Sequence, residues 1–281
     1  MSDITTLNKT LVTTEWAAEN LTNESVQLVE VDVDTTAYDS GHILGAIGWN
    51  WKTKLQDQLR RTIASKDDFE ELLRASGIKN DTTIVLYGDN NNWFAAWAYW
   101  LLKYYGHEDV RILDGGRKKW EAVGRDFTTD SPEVEASEYV IGEVKSDFRA
   151  FRDDILSNLH GDKFGLVDVR SPQEFAGEIL APPGLKELSQ RPGHIPGASN
   201  IPWSTVVNED GTFKSVEEIR KIYAAEGITS EKKVITYCRI GERSAHSWFV
   251  LKELLGFKDV RNYDGSWTEW GNLIDVPIEV A

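Results

Sequence analysis

Two short apolar runs frame the chain. Ile84-Val-Leu-Tyr87 and Val234-Ile-Thr-Tyr237 each read as a buried strand. Roughly ten residues of helical pattern follow each run. Gly106-His-Glu-Asp-Val-Arg111 comes next in the first case, and Gly256-Phe-Lys-Asp-Val-Arg261 in the second. Each stretch continues into Asp-Gly, at Asp114-Gly115 and Asp264-Gly265, and on to Trp120 and Trp270, at an offset of 150 positions throughout. Upstream, Gly41-His-Ile-Leu-Gly-Ala46 answers Gly193-His-Ile-Pro-Gly-Ala198, and the β-rich run Leu28 to Val33 answers Gly165 to Val169. The chain therefore repeats itself once.

Within each copy strands alternate with helices, which predicts a mainly parallel sheet flanked by helices on both faces. The fold class is α/β, used twice. Gly106 and Gly256 suit C-caps that turn a helix into the next strand. Between Phe127 and Lys145 the chain becomes polar and acidic and includes Pro132. This places a first domain over 1–130, a linker over 131–147 and a second domain over 148–281. The second copy carries an insertion over 178–191, with Pro182-Pro-Gly184, expected as a loop near the face where the chemistry should sit.

The copies differ most just past their central strands. After Tyr87 the first reads Gly88-Asp-Asn-Asn-Asn-Trp93. After Tyr237 the second reads Cys238-Arg239-Ile240-Gly241-Glu242-Arg243, and Ser244 opens an amphipathic helix through Trp248, Phe249, Leu251 and Leu255. Open parallel sheets take ligands beyond the carboxyl ends of their strands. A loop entering a helix offers unpaired N–H groups and the positive end of the helix dipole. A thiol there is expected to ionise readily, toward the roughly 3.5–7.5 range of activated cysteines rather than the about 8.5 of a free one. Arg239 and Arg243 add fixed positive charge, and Gly241 permits a tight turn. A lone cysteine after a strand can also be an inert small hydrophobe. Two arginines, a glycine and a helix start favour an anion cradle, and so a nucleophile.

Cys-Arg-Ile-Gly-Glu-Arg-Ser over 238–244, Asp168-Val-Arg170-Ser-Pro with Glu174-Phe175, the paired Gly-His-Ile-x-Gly-Ala motifs and the Asp-Gly-x-x-x-x-Trp endings resemble the tandem-domain rhodanese family. The likeness is to its bacterial and archaeal thiosulfate sulfurtransferases and covers nearly the whole chain. It implies two rhodanese-like domains, the second catalytic and the first of the same fold without the cysteine. Gly88 holds the cysteine's position, so the first domain is expected to be inactive.

The resemblance implies that Cys238 takes the outer sulfur of thiosulfate and releases sulfite, after which a thiophile such as cyanide or a cellular thiol removes that sulfur. This is double displacement through a covalent intermediate, a persulfide stabilised by loop N–H groups. Arg239 and Arg243 are the expected holders of the sulfonate. Ile240, Gly241, Glu242 and Ser244 complete the substrate loop, and Asp168 and Arg170 support it. Ile240 stands where mammalian thiosulfate enzymes carry a lysine, so donor preference cannot be copied from them. Glu174 stands near a position where they tend to carry an arginine, and is expected to pair with Arg170. Arg239 replaces the glycine expected of mercaptopyruvate enzymes, which favours thiosulfate. Transfer from 3-mercaptopyruvate and persulfide relay to a protein acceptor are the alternatives. Cysteine phosphatases of this fold have one more residue between cysteine and arginine than the four between Cys238 and Arg243. The smaller ring suits a single sulfur atom.

Composition narrows the rest. One cysteine excludes an intrachain disulfide, a cysteine-based zinc cluster and a resolving thiol. A net charge of −15 argues against nucleic-acid partners and gives no help toward acidic membranes. An anionic substrate must then find its positive charge locally. Met1 to Leu11 lacks a signal-type apolar core, and the stretch from Trp93 to Leu102 is too short to span a bilayer, so a cytoplasmic protein is expected. Its expected partners are a small-molecule sulfur donor and a thiophilic acceptor, with a protein sulfur acceptor as a further option. There is no GxGxxG and no P-loop, and no cofactor is expected. Glu30, Asp32 and Asp34 alternate along a strand without a histidine partner, and no metal is expected there. His42 and His194 should fix the Gly-Ala bends, and His246, on the helix after the loop, is a candidate for lining the pocket. Trp97, Trp100 and Trp248 read as core, while Trp203 and Trp267 are candidates for the cleft wall.

Overall fold

In the computed structural model, which describes residues 9–159, 161–184 and 189–280, the apolar runs pair as parallel strands in two separate sheets. The chain forms two units. One holds the chain up to Lys145 together with the loop Asn208–Phe213; the other holds Ser146–Val207 and Lys214 onward.

The first sheet comprises β1 (Leu11–Val12), β2 (Val26–Asp32), β3 (Ile47–Asn50), β4 (Thr83–Tyr87) and β5 (Val110–Leu113), in the order β1-β5-β4-β2-β3. The second comprises β6 (Phe164–Asp168), β7 (Ala198–Asn200), β8 (Lys233–Tyr237) and β9 (Val260–Asn262), in the order β7-β6-β8-β9. Every ladder is parallel. Both sheets are flanked by helices, so the fold is α/β. β4 and β8 lie inside their sheets, which is why their runs are apolar on both faces.

The repeat extends to single hydrogen bonds. The Tyr87 hydroxyl accepts from Ile43 N–H at 3.0 Å, and the Tyr237 hydroxyl from Ile195 N–H at 3.1 Å. His42 stacks on Tyr38 at 3.9 Å and His194 on Phe175 at 3.6 Å, each bonding through Nδ1 to the carbonyl of the ring it covers. Two long helices, α1 (Lys66–Ala75) and, further along, α5 (Val216–Ala225), start at serine caps, Ser65 and Ser215. Acidic residues fill the first turn of each, where the helix dipole favours them. The helix after β4 is α2 (Trp93–Tyr104), followed after β5 by α3 (Gly116–Ala122). In the second unit α4 (Pro172–Ala176) precedes α5, while α6 (Glu242–Phe249) and α7 (Ser266–Trp270) follow it.

β3 and β7 follow the Gly-Ala bends and are four and three residues long, too short for a periodicity signal. Residues 185–188 of the insertion fall outside the described residues. Its far end is anchored within the second unit. Ser189 Oγ donates to Trp267 O at 3.0 Å, and the Arg191 guanidinium donates to the carbonyls of Gly271, Val276, Trp270 and Leu273.

The loop after β4 is built against holding a nucleophile. A Cβ on Gly88 would lie 2.5 Å from Val31 O and 2.8 Å from Asp32 Oδ1. Asn90, Asn91 and Asn92 then run through the left-handed region, which asparagine tolerates better than most residues. Asn92 closes the turn, accepting from Gly88 N–H at 3.0 Å and donating to Leu113 O at 2.8 Å. Of the alternating acids, Glu30 pairs with Arg117 at 2.7 Å. Burial, then the nearby Asp89 and Glu30, push the Asp32 carboxyl up to about 10. Gly88→Cys, the swap that would copy the second unit's thiol into the first, is expected to destabilise the protein by about 1–3 kcal/mol through overpacking. It should also add no second persulfide. Denaturant unfolding and intact mass after thiosulfate treatment check both outcomes.

Candidate active site

Cys238 sits at the carboxyl end of β8, an interior strand, as the first residue of the loop into α6. Gly241 turns that loop with φ +103, and a Cβ there would meet the Asp264 backbone at 2.9–3.0 Å. Only glycine fits both demands. The turn aims Gly241 N–H at the Cys238 sulfur, 3.1 Å away. The thiol itself reaches Glu242 Oε2 at 3.4 Å.

The loop is held from several sides. Cys238 N–H donates to Ser266 Oγ at 3.1 Å, and that hydroxyl donates to Tyr263 O at 2.7 Å. Trp267 N–H donates to Cys238 O at 3.0 Å, while Thr268 donates to Arg239 O through both its N–H and its hydroxyl. Ser244 Oγ donates to Asn262 Oδ1 at 2.7 Å and lies 3.0 Å from Gly241 O. Arg149 forks onto Asp264 at 2.8 and 2.9 Å, fixing the residue against which Gly241 packs. Ser266, Thr268, Asn262 and the Arg149–Asp264 pair were not among the sequence candidates. The matched Asp-Gly pairs at 114 and 264 were the one signal that pointed to this segment.

The candidate arginines differ from expectation. The side chain of Arg243 is 7% exposed and forks onto Glu174 through Nη1–Oε2 at 3.0 Å and Nη2–Oε1 at 3.2 Å. Its Nε lies 3.6 Å from Glu242 Oε1. Arg243 therefore braces two carboxylates. Glu174 pairs with Arg243 and not, as expected, with Arg170. Arg170 instead forks onto Asp168, with its shortest contact at 2.6 Å, and donates to Gly193 O. Its guanidinium lies over the Trp267 ring at 4.6 Å. Trp267 is fully buried and is core instead of cleft wall, whereas Trp203 is half-buried and meets His246 edge-on at 5.8 Å. Ile240 and Arg239 are buried to within a few per cent.

The thiol also departs from expectation. Burial, and then the Glu242 carboxylate, push the Cys238 pKa up, and the opposing pull of Arg243 and of the Ser244 and Gly241 N–H groups does not reverse this. The cradle predicted from sequence is present, but desolvation outweighs it in the resting state. Burial drives His246 down to about 3, so its ring is neutral. No group of three or more ligating side chains able to hold a metal exists among the described residues.

Comparison with known proteins places this geometry. The rhodanese-like domain model matches residues 13–123 and again 152–273. A protein of Saccharopolyspora erythraea, named provisionally as a thiosulfate sulfurtransferase, is 57% identical over 270 residues, covering 96% of this chain and 95% of that one. The sulfur carrier protein TtuD of Thermus thermophilus is 52% identical over 272 residues, covering 95% of each. Among solved structures, EanB caught with a cysteine persulfide and ergothioneine superposes with a TM-score of 0.86 at 27% identity, over 97% of this chain and 71% of that one. The chain belongs to the rhodanese family, the family of the sulfurtransferases just described. Among the described residues no helix is long and apolar enough to cross a membrane.

Proposed function

We propose that this protein is a thiosulfate:thiophile sulfurtransferase that carries the transferred sulfur as a persulfide on Cys238. The observation that supports it most is the Gly241 N–H directed at the Cys238 sulfur from the turn into α6. A sulfur bonded to Cys238 extends the side chain from this cradle, and its negative charge gains from donors that need no rearrangement. The first unit, with Gly88 in place of the cysteine, takes no part in the chemistry. Arg239 remains the candidate for orienting the anionic donor, since Arg243 is committed to Glu174. Cys238 and Arg243 frame too small a ring for a phosphate ester, and the engagement of Arg243 counts further against phosphatase chemistry.

Relay to a protein acceptor is a second reading, favoured by the relative named as a sulfur carrier. It uses the same persulfide and differs only in what removes the sulfur. Both readings make a cytoplasmic protein with a soluble donor, working without a cofactor. Incubation with thiosulfate is expected to add the mass of one sulfur atom to Cys238, and cyanide to remove it as thiocyanate. A protein that turns thiosulfate over without that mass gain would exclude the covalent route. 3-Mercaptopyruvate as the faster donor would reassign the substrate while keeping the intermediate.

A further inference from the structure

We propose that Ser266 is a positioning residue for sulfur transfer, an assignment that rests on the persulfide reading above. Its hydroxyl caps the Cys238 backbone from outside the cysteine loop and so leaves that loop free to close round the sulfur. The two units solve one hydrogen-bonding problem with different residues. In the first, the Asn92 side chain accepts from Gly88 N–H at 3.0 Å and donates to Leu113 O at 2.8 Å. In the second, one hydroxyl makes the corresponding pair: Ser266 Oγ accepts from Cys238 N–H at 3.1 Å and donates to Tyr263 O at 2.7 Å. Residues 88 and 238 are counterparts at the offset of 150, as are 113 and 263. The residues that join them are not. The counterpart of Asn92 is Glu242, and that of Ser266 is Gly116.

Each cap excludes the other. A Cβ on Gly116 would run into Asn92 Oδ1 and lie 2.7 Å from Gly88 O, so a loop capped from within has no room for a serine there. The second unit carries that side chain in spite of its backbone. Ser266 has φ +52, close to the φ +54 of Gly116, a left-handed conformation that strains a serine and not a glycine. What the strain secures is visible in the loop. With the cap supplied from residue 266, α6 begins at Glu242, directly after Gly241, and Glu242 reaches the Cys238 sulfur at 3.4 Å. Gly241 N–H meets the same sulfur at 3.1 Å. In the first unit Asn90, Asn91 and Asn92 pass through the left-handed region before α2 starts at Trp93. The carbonyl side of the clamp is common to both units, since Trp267 N–H takes Cys238 O at 3.0 Å and Arg117 N–H takes Gly88 O at 3.2 Å. Only the cap on the N–H has moved.

Loss of the hydroxyl acts on the sulfur through Cys238 itself. Cys238 and Ser266 are both fully buried, and a buried N–H stripped of its acceptor drives the chain to find another. The first unit shows where that acceptor lies, in the side chain that holds the place of Asn92. Drawing Glu242 back to Cys238 N–H lifts it from the sulfur and turns the start of α6, carrying Gly241 N–H out of line. A shift of about 1 Å in a reacting group is enough to cost about a hundred-fold in rate.

The test is single-turnover persulfide loading of the full chain from thiosulfate, with rapid quench and intact mass, beside thermal unfolding. It returns separately the fraction of molecules that load, the maximal rate and the half-saturating thiosulfate concentration. Ser266→Ala removes the hydroxyl and keeps the strained Cβ, whereas Ser266→Gly removes both. The glycine variant is expected to melt above the alanine variant, because only glycine suits φ +52. Both should nevertheless load about ten- to a hundred-fold more slowly at saturating thiosulfate. The loaded fraction should stay complete and half-saturation within about two-fold of wild type, since the hydroxyl is spent on backbone groups. A purely structural loss would lower the loaded fraction and leave the rate of the folded molecules unchanged. If Ser266→Gly loads at the wild-type rate, or the two rates simply follow the two Tm values, the assignment is overturned. Should the alanine variant fail to fold, the glycine variant decides alone. A wild-type chain that gains no sulfur would overturn the persulfide reading and this assignment with it, a result seen before any substitution is made.

Discussion

Cys238→Ser is expected to gain no sulfur from thiosulfate and to form thiocyanate about ten-thousand-fold more slowly than wild type, or not measurably, in line with losses seen when a covalent nucleophile is removed. Double displacement has no route around its intermediate, and a hydroxyl is far too weak an acid and nucleophile to replace the thiol. The fold should survive. Serine still offers an acceptor to Gly241 N–H and a donor to Glu242, two of the contacts that the thiol makes. Its stability should therefore stay within about 1 kcal/mol of wild type, the usual range when no contact is orphaned. Thermal unfolding beside the rate and mass measurements separates lost chemistry from lost structure. Transfer persisting at a tenth of the wild-type rate would mean that sulfur moves without a cysteine adduct.

The raised pKa of Cys238 changes how this site is understood. A preformed thiolate would make the resting enzyme open to any electrophile. Burial beside the Glu242 carboxylate instead disfavours the charged form of Cys238 in the empty loop. In the persulfide proposed above, the charge would sit on the outer sulfur and not on the atom in contact with Glu242.

Much of this was legible in the sequence because it lies in contiguous segments. β4 and β8 are interior strands, so burial wrote their apolar runs. The Gly-His-Ile motifs repeat because a histidine stacks on an aromatic ring in both units. The cysteine loop stood out because its two copies diverge most there. What stayed hidden depends on residues far apart along the chain. Glu174 and Arg243 are separated by 69 positions. Nothing in their local context says that one will neutralise the other, whereas Arg170 is only four residues from Glu174 and was the natural guess. The direction of the thiol's pKa followed the same logic: helix start and neighbouring arginines are local, but burial is tertiary, and burial is the largest influence here. Ser266 was missed because a small residue at φ +52 carries no pattern; its task appears only when Cys238 N–H points at it.

The Glu174–Arg243 fork carries the second large effect. Glu174→Gln is expected to destabilise the protein by about 3–5 kcal/mol, the cost of removing one partner from a buried ion pair. The Glu174 side chain is fully buried and accepts from Ser171 N–H and the Ser171 hydroxyl, each at 3.0 Å, as well as from the guanidinium. A glutamine keeps one acceptor oxygen and turns an amide donor toward the donors of Arg243. Replacing both partners by apolar residues should not recover the loss in full, because Arg243 also serves Glu242 at 3.6 Å and that carboxylate would be left alone. The effect carries a pH signature. Burial raises the Glu174 pKa, but Arg243 and the Ser171 N–H outweigh it and hold the folded value below the ordinary one. A carboxylate depressed in the folded state contributes stability above its unfolded pKa, about 4.3, and loses it as pH falls through the folded value. The gap in Tm between wild type and Glu174→Gln should therefore be widest near neutral pH and narrow as pH drops below about 4. A gap of constant width across that range would mean that the fork supplies geometry without electrostatic stabilisation, and that Arg243 draws its main support from Glu242.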